Sequence, residues 1–210
     1  AVRLKPDSFR GKVVLDVGTG SGVLAMWAAQ AGAKKVYAVE ATHMAVQARK
    51  IVAANGLSDV VEVIQGSMEE VELPEKVDVI ISEWMGYFLL RESMFDSVLH
   101  ARDKWMKPGG AMFPSHAKMY LSCIKSNKSG QKYQELQESL TVWKEFVATT
   151  RDNYGIDLSC MDDEYEDEQE EHYLNTSAWV DIHPSQLMST PCTLASFDLN
   201  KCSMDDIKVL

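Results

Sequence analysis

Several features that define other classes of protein are missing from this chain of 210 residues. Its four cysteines show no C-x-x-C spacing, so neither a zinc site nor a redox dithiol is indicated. No apolar run approaches the ~18 residues that a membrane helix needs, and no secretory signal segment opens the sequence. We therefore expect free thiols and a reducing compartment, cytoplasmic or nuclear.

Basic charge is also scarce, because 21 Lys and Arg residues stand against 31 Asp and Glu residues and the net charge is −10. A phosphate backbone would be repelled, so direct nucleic-acid binding is disfavoured and basic peptide partners are favoured. Much of the acidic excess lies in residues 162–171, for which we predict a solvated, flexible loop. With 46% hydrophobic residues, the chain can still form a core.

What the sequence does contain is an alternation of apolar strands and helices up to Pro114. Strands are predicted at 13–17, 35–40, 60–65, 77–82 and 111–113. Helices are predicted at 21–31, 42–55 and 91–106. This order predicts an α/β fold with a doubly wound parallel sheet, whose ligands bind beyond the carboxyl ends of the strands.

The pattern changes after Pro114. We predict a weak strand at 118–124 and a helix at 131–150, followed by short strands over 179–210. One apolar face of that helix would consist of residues three or four positions apart, namely Leu136, Leu140, Trp143 and Val147.

A glycine-rich turn, Gly-Thr-Gly-Ser-Gly at 18–22, follows the first predicted strand. A dinucleotide fingerprint would need glycine at position 23, where Val23 stands. Glu40 ends the second strand, and an acid there can accept hydrogen bonds from two ribose hydroxyls. The glycine-rich turn and Glu40 together predict S-adenosylmethionine as the cofactor. Asp16 and Gly18 would line the site below its methionine part. The alternative is an ordinary turn between a strand and a helix.

Met68 and Glu69 follow the third predicted strand, at the end where the adenine ring of the cofactor would bind. Met68 would cover the face of the ring, and Glu69 would accept from its exocyclic amine. An ordinary turn with an exposed acid is the alternative interpretation.

Two glutamates bracket the aromatic segment 82–92: Glu83 directly follows the fourth strand, and Glu92 opens the next helix. Only a loop that folds back at Gly86 can bring them together. Two close carboxylates repel each other unless a cation lies between them, and a planar guanidinium matches both. We predict methyl transfer from a sulfonium donor to arginine. The alternative is two surface glutamates around an apolar loop.

These motifs resemble those of the protein arginine N-methyltransferases, and most of all the plant-specific branch numbered ten. Residues 13–22 resemble the first cofactor motif of the family, 36–40 its ribose-binding strand and 82–92 its double-glutamate loop. Residues 109–114 and 153–157 also fit. The resemblance implies a methyltransferase domain at 1–115 and the start of a β-barrel at 116–210, with a helical dimerisation arm at about 126–173.

The resemblance also implies roles for individual residues. Glu83 and Glu92 would be catalytic, and Met85 and Met94 would line the arginine pocket. The cofactor contacts would be Asp16, Gly18, Gly20, Glu40, Met68 and Glu69. Expected products are mono- and asymmetric dimethylarginine, with histone tails as substrates in chromatin regulation and a homodimer formed through the arm.

Two family features have no counterpart here. An N-terminal helical lid is not found before Val2, and the Thr-His-Trp loop is missing because no His-Trp dipeptide occurs. The chain also begins with Ala1, so we expect a fragment that is weakly active or inactive by itself. The alternatives are a non-catalytic dimerisation partner and a methyltransferase for a different substrate.

Overall fold

The computed structural model describes residues 6–125, 127–176 and 181–206, without the side chains of 127–129 and 204. Two compact units are present. One combines the residues up to Tyr120 with those from Thr193 onward, and the other comprises Leu121–Cys192. In the described part of the chain, no helix is both long and apolar enough to cross a membrane.

A five-stranded parallel sheet forms the first unit. Its strands are β1 (Val13–Val17), β2 (Lys35–Glu40), β3 (Val61–Gln65), β4 (Val77–Ile81) and β5 (Met106–Phe113). They are ordered β3-β2-β1-β4-β5, with all pairs parallel. The predicted doubly wound sheet is therefore confirmed. Its order reverses between β1 and β4, the place at which such sheets bind their ligands.

Helices cover both faces of this sheet: α1 (Val23–Gln30), α2 (Met44–Ala54) and α3 (Met94–Trp105). Side chains of β1 alternate between two apolar clusters, as the pleat of a strand requires. Leu15 packs with residues of α3 such as Leu99, whereas Val14 packs with Ala28 of α1 and Val52 of α2. Burial on both faces explains why β1 and β2 read as continuous apolar runs.

The predicted and observed elements differ most around α3. The helix begins at Met94, three residues later than predicted, and ends at Trp105. β5 begins at once with Met106, although the strand was predicted only from position 111. Val77 pairs with Met106 and Val79 with Ala111, so residues 107–110 form a bulge opposite a single residue. The bulge explains how a strand can contain Pro108, Gly109 and Gly110, residues that disfavour regular strand pairing.

Helices dominate the second unit, with α4 (Asn127–Tyr154) and α5 (Asp162–Tyr173). The predicted apolar face of α4 is confirmed, because Leu136, Leu140 and Val147 are buried and Trp143 stacks on Tyr165 of α5. The helix is longer than predicted. It ends where Gly155 adopts a φ of 69° and donates its N–H to the Arg151 carbonyl, the usual glycine stop.

The acidic run 162–171 is not the flexible loop that we predicted, because it lies within α5. Its side chains are solvated, but the backbone is helical. Three carboxylates in the first turn favour the positive end of the helix dipole, and Glu and Gln are good helix formers. Trp143 Nε1 also donates to Asp162 Oδ1 at 2.7 Å, which ties the start of α5 to α4.

After the parallel sheet, β6 (His116–Leu121) pairs with β7 (Cys192–Asp198). β6 begins two residues before its predicted start and ends at Leu121. β7 is the only strand found within the described part of 179–210. Residues 177–180 and 207–210 lie outside the described residues. Arg102 of α3 donates from Nη1 to the carbonyls of Leu199 and Cys202, at 2.8 and 2.7 Å, and so holds the segment after β7 against the sheet unit.

Candidate active site

Polar side chains gather at the carboxyl edge of the parallel sheet. Asp16 is level with Ala38 of β2 and Ile81 of β4, so the ends of three strands meet at one edge. Glu40 ends β2, and Glu83 follows β4 by two residues. The structure thus brings the predicted cofactor turn and the start of the double-glutamate loop to the same side of the sheet.

The glycine-rich turn uses the conformational freedom of its glycines. Gly18, Gly20 and Gly22 have φ angles of 70°, 55° and 86°, a region that residues with a side chain rarely adopt. The N–H groups of Gly18 and Thr19 both donate to the Val39 carbonyl at 2.9 Å, which joins the turn to the end of β2. The predicted turn is therefore a tight structure leading into α1.

Asp16 is fully buried below this turn. Its Oδ2 accepts a 2.5 Å hydrogen bond from Thr19 Oγ1, whereas Oδ1 is buried without a partner among the described residues. Burial raises the pKa of Asp16 to about 7, against the opposing effect of the Thr19 hydrogen bond. A buried carboxylate oxygen without a donor is a suitable acceptor for a cationic ligand group.

Glu40 is also buried, but its carboxylate accepts three hydrogen bonds. Gly20 N–H donates to Oε2 at 2.8 Å, and Thr42 donates to Oε1 through its N–H at 2.9 Å and its Oγ1 at 2.7 Å. Burial raises the pKa of Glu40, but these three donors outweigh it and hold the pKa below its ordinary value. The group is therefore an ionised acceptor in a fixed orientation.

Met68 and Glu69 occupy different environments. Met68 is 4% exposed and packs in the apolar cluster on the α3 side of the sheet. Glu69 is exposed, and its Oε1 accepts from Ser97 Oγ of α3 at 2.6 Å. That hydrogen bond lowers the pKa of Glu69. The third carboxylate of the predicted cofactor set is thus also held by a neighbouring hydroxyl.

The double-glutamate loop folds back at Gly86, as predicted. Gly86 N–H donates to the Leu89 carbonyl, and Arg91 N–H donates to the Tyr87 carbonyl. Within this turn Phe88 and Leu89 adopt φ angles of 49° and 61°, which is strained for residues with side chains.

Glu83 and Glu92 are both exposed at the two ends of this loop. Among the described residues, neither has a hydrogen-bonding or ion-pair partner. Trp84, between them in sequence, is 1% exposed and packs its ring on Phe95 with centroids 4.6 Å apart. The buried tryptophan anchors the loop and leaves both carboxylates available for a ligand.

Met94 connects the two parts of the site. A Cβ added to Gly18 would lie 2.0 Å from the terminal methyl of Met94, so only glycine permits this approach. The predicted pocket methionine is thus packed against the cofactor turn. Met85, the other one, is 40% exposed on the loop.

Sequence reasoning missed three hydroxyl residues that hold the carboxylates: Thr19, Thr42 and Ser97. Thr19 and Thr42 lie two or three residues from the acids they contact, so local spacing is a signal that could have identified them. Ser97 is distant in sequence from Glu69 and becomes its partner only through folding. No group of three or more His, Cys, Asp or Glu side chains within the described ranges is arranged to hold a metal ion.

Comparison with known proteins agrees with this geometry. Residues 5–113 match the family described as ribosomal protein L11 methyltransferase (PrmA). This match covers the parallel sheet and its helices, about half of the chain. The fold is therefore that of a Rossmann-like methyltransferase.

More specific similarities extend over nearly the whole chain. It is 54% identical, over 99% of its length, to protein arginine N-methyltransferase PRMT10 of Oryza sativa subsp. japonica. It also matches the crystal structure of Arabidopsis thaliana protein arginine methyltransferase 10 with a TM-score of 0.89 and 53% identity, covering 96% of this chain and 58% of that one. The chain belongs to the protein arginine N-methyltransferase family.

A more distant structural match is the Trypanosoma brucei PRMT1 enzyme-prozyme heterotetrameric complex with AdoHcy, with a TM-score of 0.73 and 40% identity. That match covers 98% of this chain and 61% of the other. The chain spans 55% of the rice relative, so it represents about half the length of the proteins it matches.

Proposed function

We propose that this chain carries the cofactor site and the catalytic loop of an enzyme that transfers methyl groups from S-adenosylmethionine to arginine side chains in proteins. The observation that supports this most is the loop of residues 82–92, which presents Glu83 and Glu92 without partners among the described residues. Met94, two residues after the loop, packs against Gly18 of the cofactor turn. Membership of the family supports the same activity.

The residues at the sheet edge fit an S-adenosyl cofactor. Oδ1 of Asp16, which has no partner among the described residues, suits the ammonium of the methionine part. The open space at Gly20, where an added Cβ would meet nothing within 4 Å, permits close approach of the ligand to the backbone. Glu40 is ionised and oriented for a ribose hydroxyl, and Glu69 for an amine donor on the base. When bound, the cofactor supplies an electrophilic methyl group on a positively charged sulfur.

Glu83 and Glu92 would act on the other substrate. An arginine guanidinium is a weak nucleophile because its lone pairs are delocalised, and it keeps its charge at neutral pH. Ion pairs to both carboxylates would fix its plane and direct one terminal nitrogen toward the methyl group. Orientation of this kind can lower a barrier by roughly 7 to 11 kcal/mol. As the bond from this nitrogen to the methyl carbon forms, the bond from that carbon to sulfur would break and leave a neutral thioether. The nitrogen would lose one proton to a carboxylate of the loop or to water.

Substrates and products follow from charge and from family membership. The net charge of −10 favours basic segments, so we propose histone tails as substrates and a role in chromatin regulation. Met94, beside the cofactor turn, matches the pocket methionine that the family resemblance implies, and this match supports asymmetric dimethylarginine as the final product. These substrates lie in the nucleus or cytoplasm, where we place the protein.

Assembly would use the second unit. We propose that α4 and α5 form the helical arm of a homodimer, within the β-barrel domain that we assign to residues 116–210. Large apolar side chains are exposed along α4, with Val142 at 64% and Phe146 at 53%. Such side chains support an interface because a soluble helix rarely leaves them uncovered.

Calorimetry with S-adenosylhomocysteine tests the cofactor site in the 210-residue chain. We expect saturable binding that is weakened by Glu40→Gln. A chain that only dimerises would show no heat at millimolar ligand. Binding of an arginine-containing histone peptide then tests the loop.

In a chain that has the full length of the family's members, Glu83→Gln should weaken peptide binding and abolish arginine methylation in mass spectra, while cofactor binding is unchanged. Glu145→Gln on the exposed surface of α4 is the matched control. Undiminished methylation by Glu83→Gln would contradict the catalytic assignment.

A further inference from the structure

Thr42 makes a set of contacts that the assigned roles do not use. It lies two residues after Glu40 and just before α2, with its side chain at the surface. Its N–H and its Oγ1 both donate to the same oxygen of Glu40, Oε1. The same Oγ1 accepts from the N–H of Met44, the first residue of α2, at 3.1 Å. One hydroxyl therefore joins the Glu40 carboxylate to the start of a helix.

The carboxylate of Glu40 is consequently asymmetric. Two carboxylate oxygens offer about four acceptor positions in total. Thr42 fills both positions on Oε1, whereas Gly20 N–H fills one on Oε2. The acceptor position that no described residue fills thus belongs to Oε2, on the side of the glycine turn.

We propose that Thr42 is a positioning residue for the cofactor: its hydroxyl commits Oε1 of Glu40 to the protein and thereby presents Oε2 to a ribose hydroxyl. This inference rests on the proposed function, because it assumes an S-adenosyl ligand at the sheet edge. Thr42 itself touches no reacting atom. Its effect passes through the orientation of Glu40.

The hydroxyl, rather than the backbone of Thr42, carries the effect. The N–H of residue 42 would still donate to Oε1 in any variant except proline. Without Oγ1, one position on Oε1 would open to water and the carboxylate could rotate about its last torsion. Ordering it again would then reduce the free energy gained from the ribose contact.

The test is calorimetry of the 210-residue chain with S-adenosylhomocysteine and with its 2′-deoxy and 3′-deoxy forms. Thr42→Val should bind the parent ligand about tenfold more weakly, because the Glu40 carboxylate must then be ordered on binding. The affinity lost on deleting a ribose hydroxyl should be smaller in Thr42→Val than in the unsubstituted chain. Such coupling is the signature of two groups that act on one carboxylate.

Matched variants separate positioning from a general structural effect. Thr42→Ser keeps the hydroxyl and should restore both affinity and ribose discrimination, whereas Thr42→Ala should behave like Thr42→Val. Thr193→Val removes an exposed hydroxyl of β7, outside the proposed arm, and should change neither quantity. Thermal unfolding of each variant checks that the fold is intact.

Two results would overturn the inference in distinguishable ways. If the unsubstituted chain binds but Thr42→Val and Thr42→Ala bind equally well, or lose affinity equally for ribose and deoxyribose ligands, Thr42 does not position Glu40. If the unsubstituted chain shows no binding at millimolar ligand, the proposed cofactor site is wrong and the role of Thr42 falls with it.

Discussion

Glu92 packs its side chain directly against Gly86. A Cβ on Gly86 would lie 2.6 Å from both Cγ and Cδ of Glu92, and 2.9 Å from its Oε1. The backbone of Gly86 is not in the left-handed region, so alanine could adopt its conformation. What excludes a side chain at this position is the second glutamate of the loop, which makes Gly86 a determinant of where that carboxylate lies.

Gly86→Ala should therefore impair methyl transfer without unfolding the protein. The clash falls on the flexible side chain of Glu92, which can move away, so we expect a change in stability within about 0.5 kcal/mol. Displacement of a substrate-orienting group by about 1 Å can cost on the order of 100-fold in rate. Mass spectrometry of arginine products measures the rate, and calorimetry should find cofactor binding unchanged.

Gly130→Ala is the control for this substitution, because a Cβ at that position of α4 meets no atom within 4 Å. It should leave the rate and cofactor binding as they are, and it should raise stability by about 0.5 to 1 kcal/mol because alanine is the better helix former. Normal methylation by Gly86→Ala would show that the position of Glu92 against Gly86 is not needed for catalysis.

Gly18 and Gly20 form a second pair that separates steric from conformational effects. Both have a positive φ, but a Cβ on Gly18 would lie 2.0 Å from Met94 Cε, whereas one on Gly20 would meet nothing within 4 Å. Gly20→Ala should cost about 1 to 2 kcal/mol of unfolding free energy, from strain alone. Gly18→Ala should cost more unfolding free energy than Gly20→Ala, because its Cβ also meets Met94. Adding Met94→Ala should recover that difference. Urea unfolding measures these three variants and the unsubstituted chain. Equal costs for the two glycines would contradict the contact with Met94.

Much of the fold could be predicted because its signals are local. The apolar runs of β1 and β2 lie between turn residues, and the residues buried in the structure are those that the runs contain. The errors arose where tertiary contacts decide the structure. Residues 162–171 form a helix because Trp143 and Tyr165 hold them on α4, a contact that no local pattern shows. The bulge at 107–110 depends on pairing with β4.

The candidate site divides in the same way. Glu40 and Glu83 were identified because strand ends place them at one edge, and Gly86 because a loop must turn there. The approach of Met94 to Gly18 and the hydrogen bond from Ser97 to Glu69 could not be predicted, since each joins residues far apart in sequence. Their distances are properties of packing around α3 rather than of any motif.

The buried carboxyl group of Asp16 should make the stability of the fold decrease as the pH rises. Its pKa is raised from 3.8 to about 7, so the folded chain retains a proton that the unfolded chain releases. By linkage, this contribution to stability is fully present below about pH 4 and is lost as the pH rises to about 7. The total contribution of Asp16 to stability would be on the order of 4 kcal/mol, since a pKa difference of one corresponds to about 1.4 kcal/mol.

Urea unfolding between pH 5 and 8 measures the slope of the unfolding free energy against pH. Carboxyl groups with a lowered pKa, such as Glu40 and Asp78, remain ionised throughout this range and contribute none of it. Asp16→Asn cannot titrate and should show a flat profile, with Glu70→Gln as an exposed control that keeps the slope. Identical profiles for Asp16→Asn and the unsubstituted chain would exclude Asp16 as the source.

Trp143 should control whether the acidic segment is helical. No described side chain of α5 is buried, and its main support is the hydrogen bond from Trp143 Nε1 to Asp162 together with the stacking of Trp143 on Tyr165 at 4.5 Å. Ser139 of α4 adds hydrogen bonds to Tyr165 and Gln169, at 3.0 and 2.9 Å. An aromatic pair contributes about 0.5 to 1.5 kcal/mol and a hydrogen bond to a charged group about 1.5 to 3 kcal/mol. Trp143→Ala should remove both and melt α5. Far-UV circular dichroism would show the loss of helix, and a Glu-specific protease would cut between residues 164 and 171.

Trp143→Phe should retain part of the helix through stacking. Tyr154→Ala, at a ring that is 75% exposed near the end of α4, should leave the protease pattern unchanged. Resistance of Trp143→Ala to the protease would show that α5 is helical without Trp143.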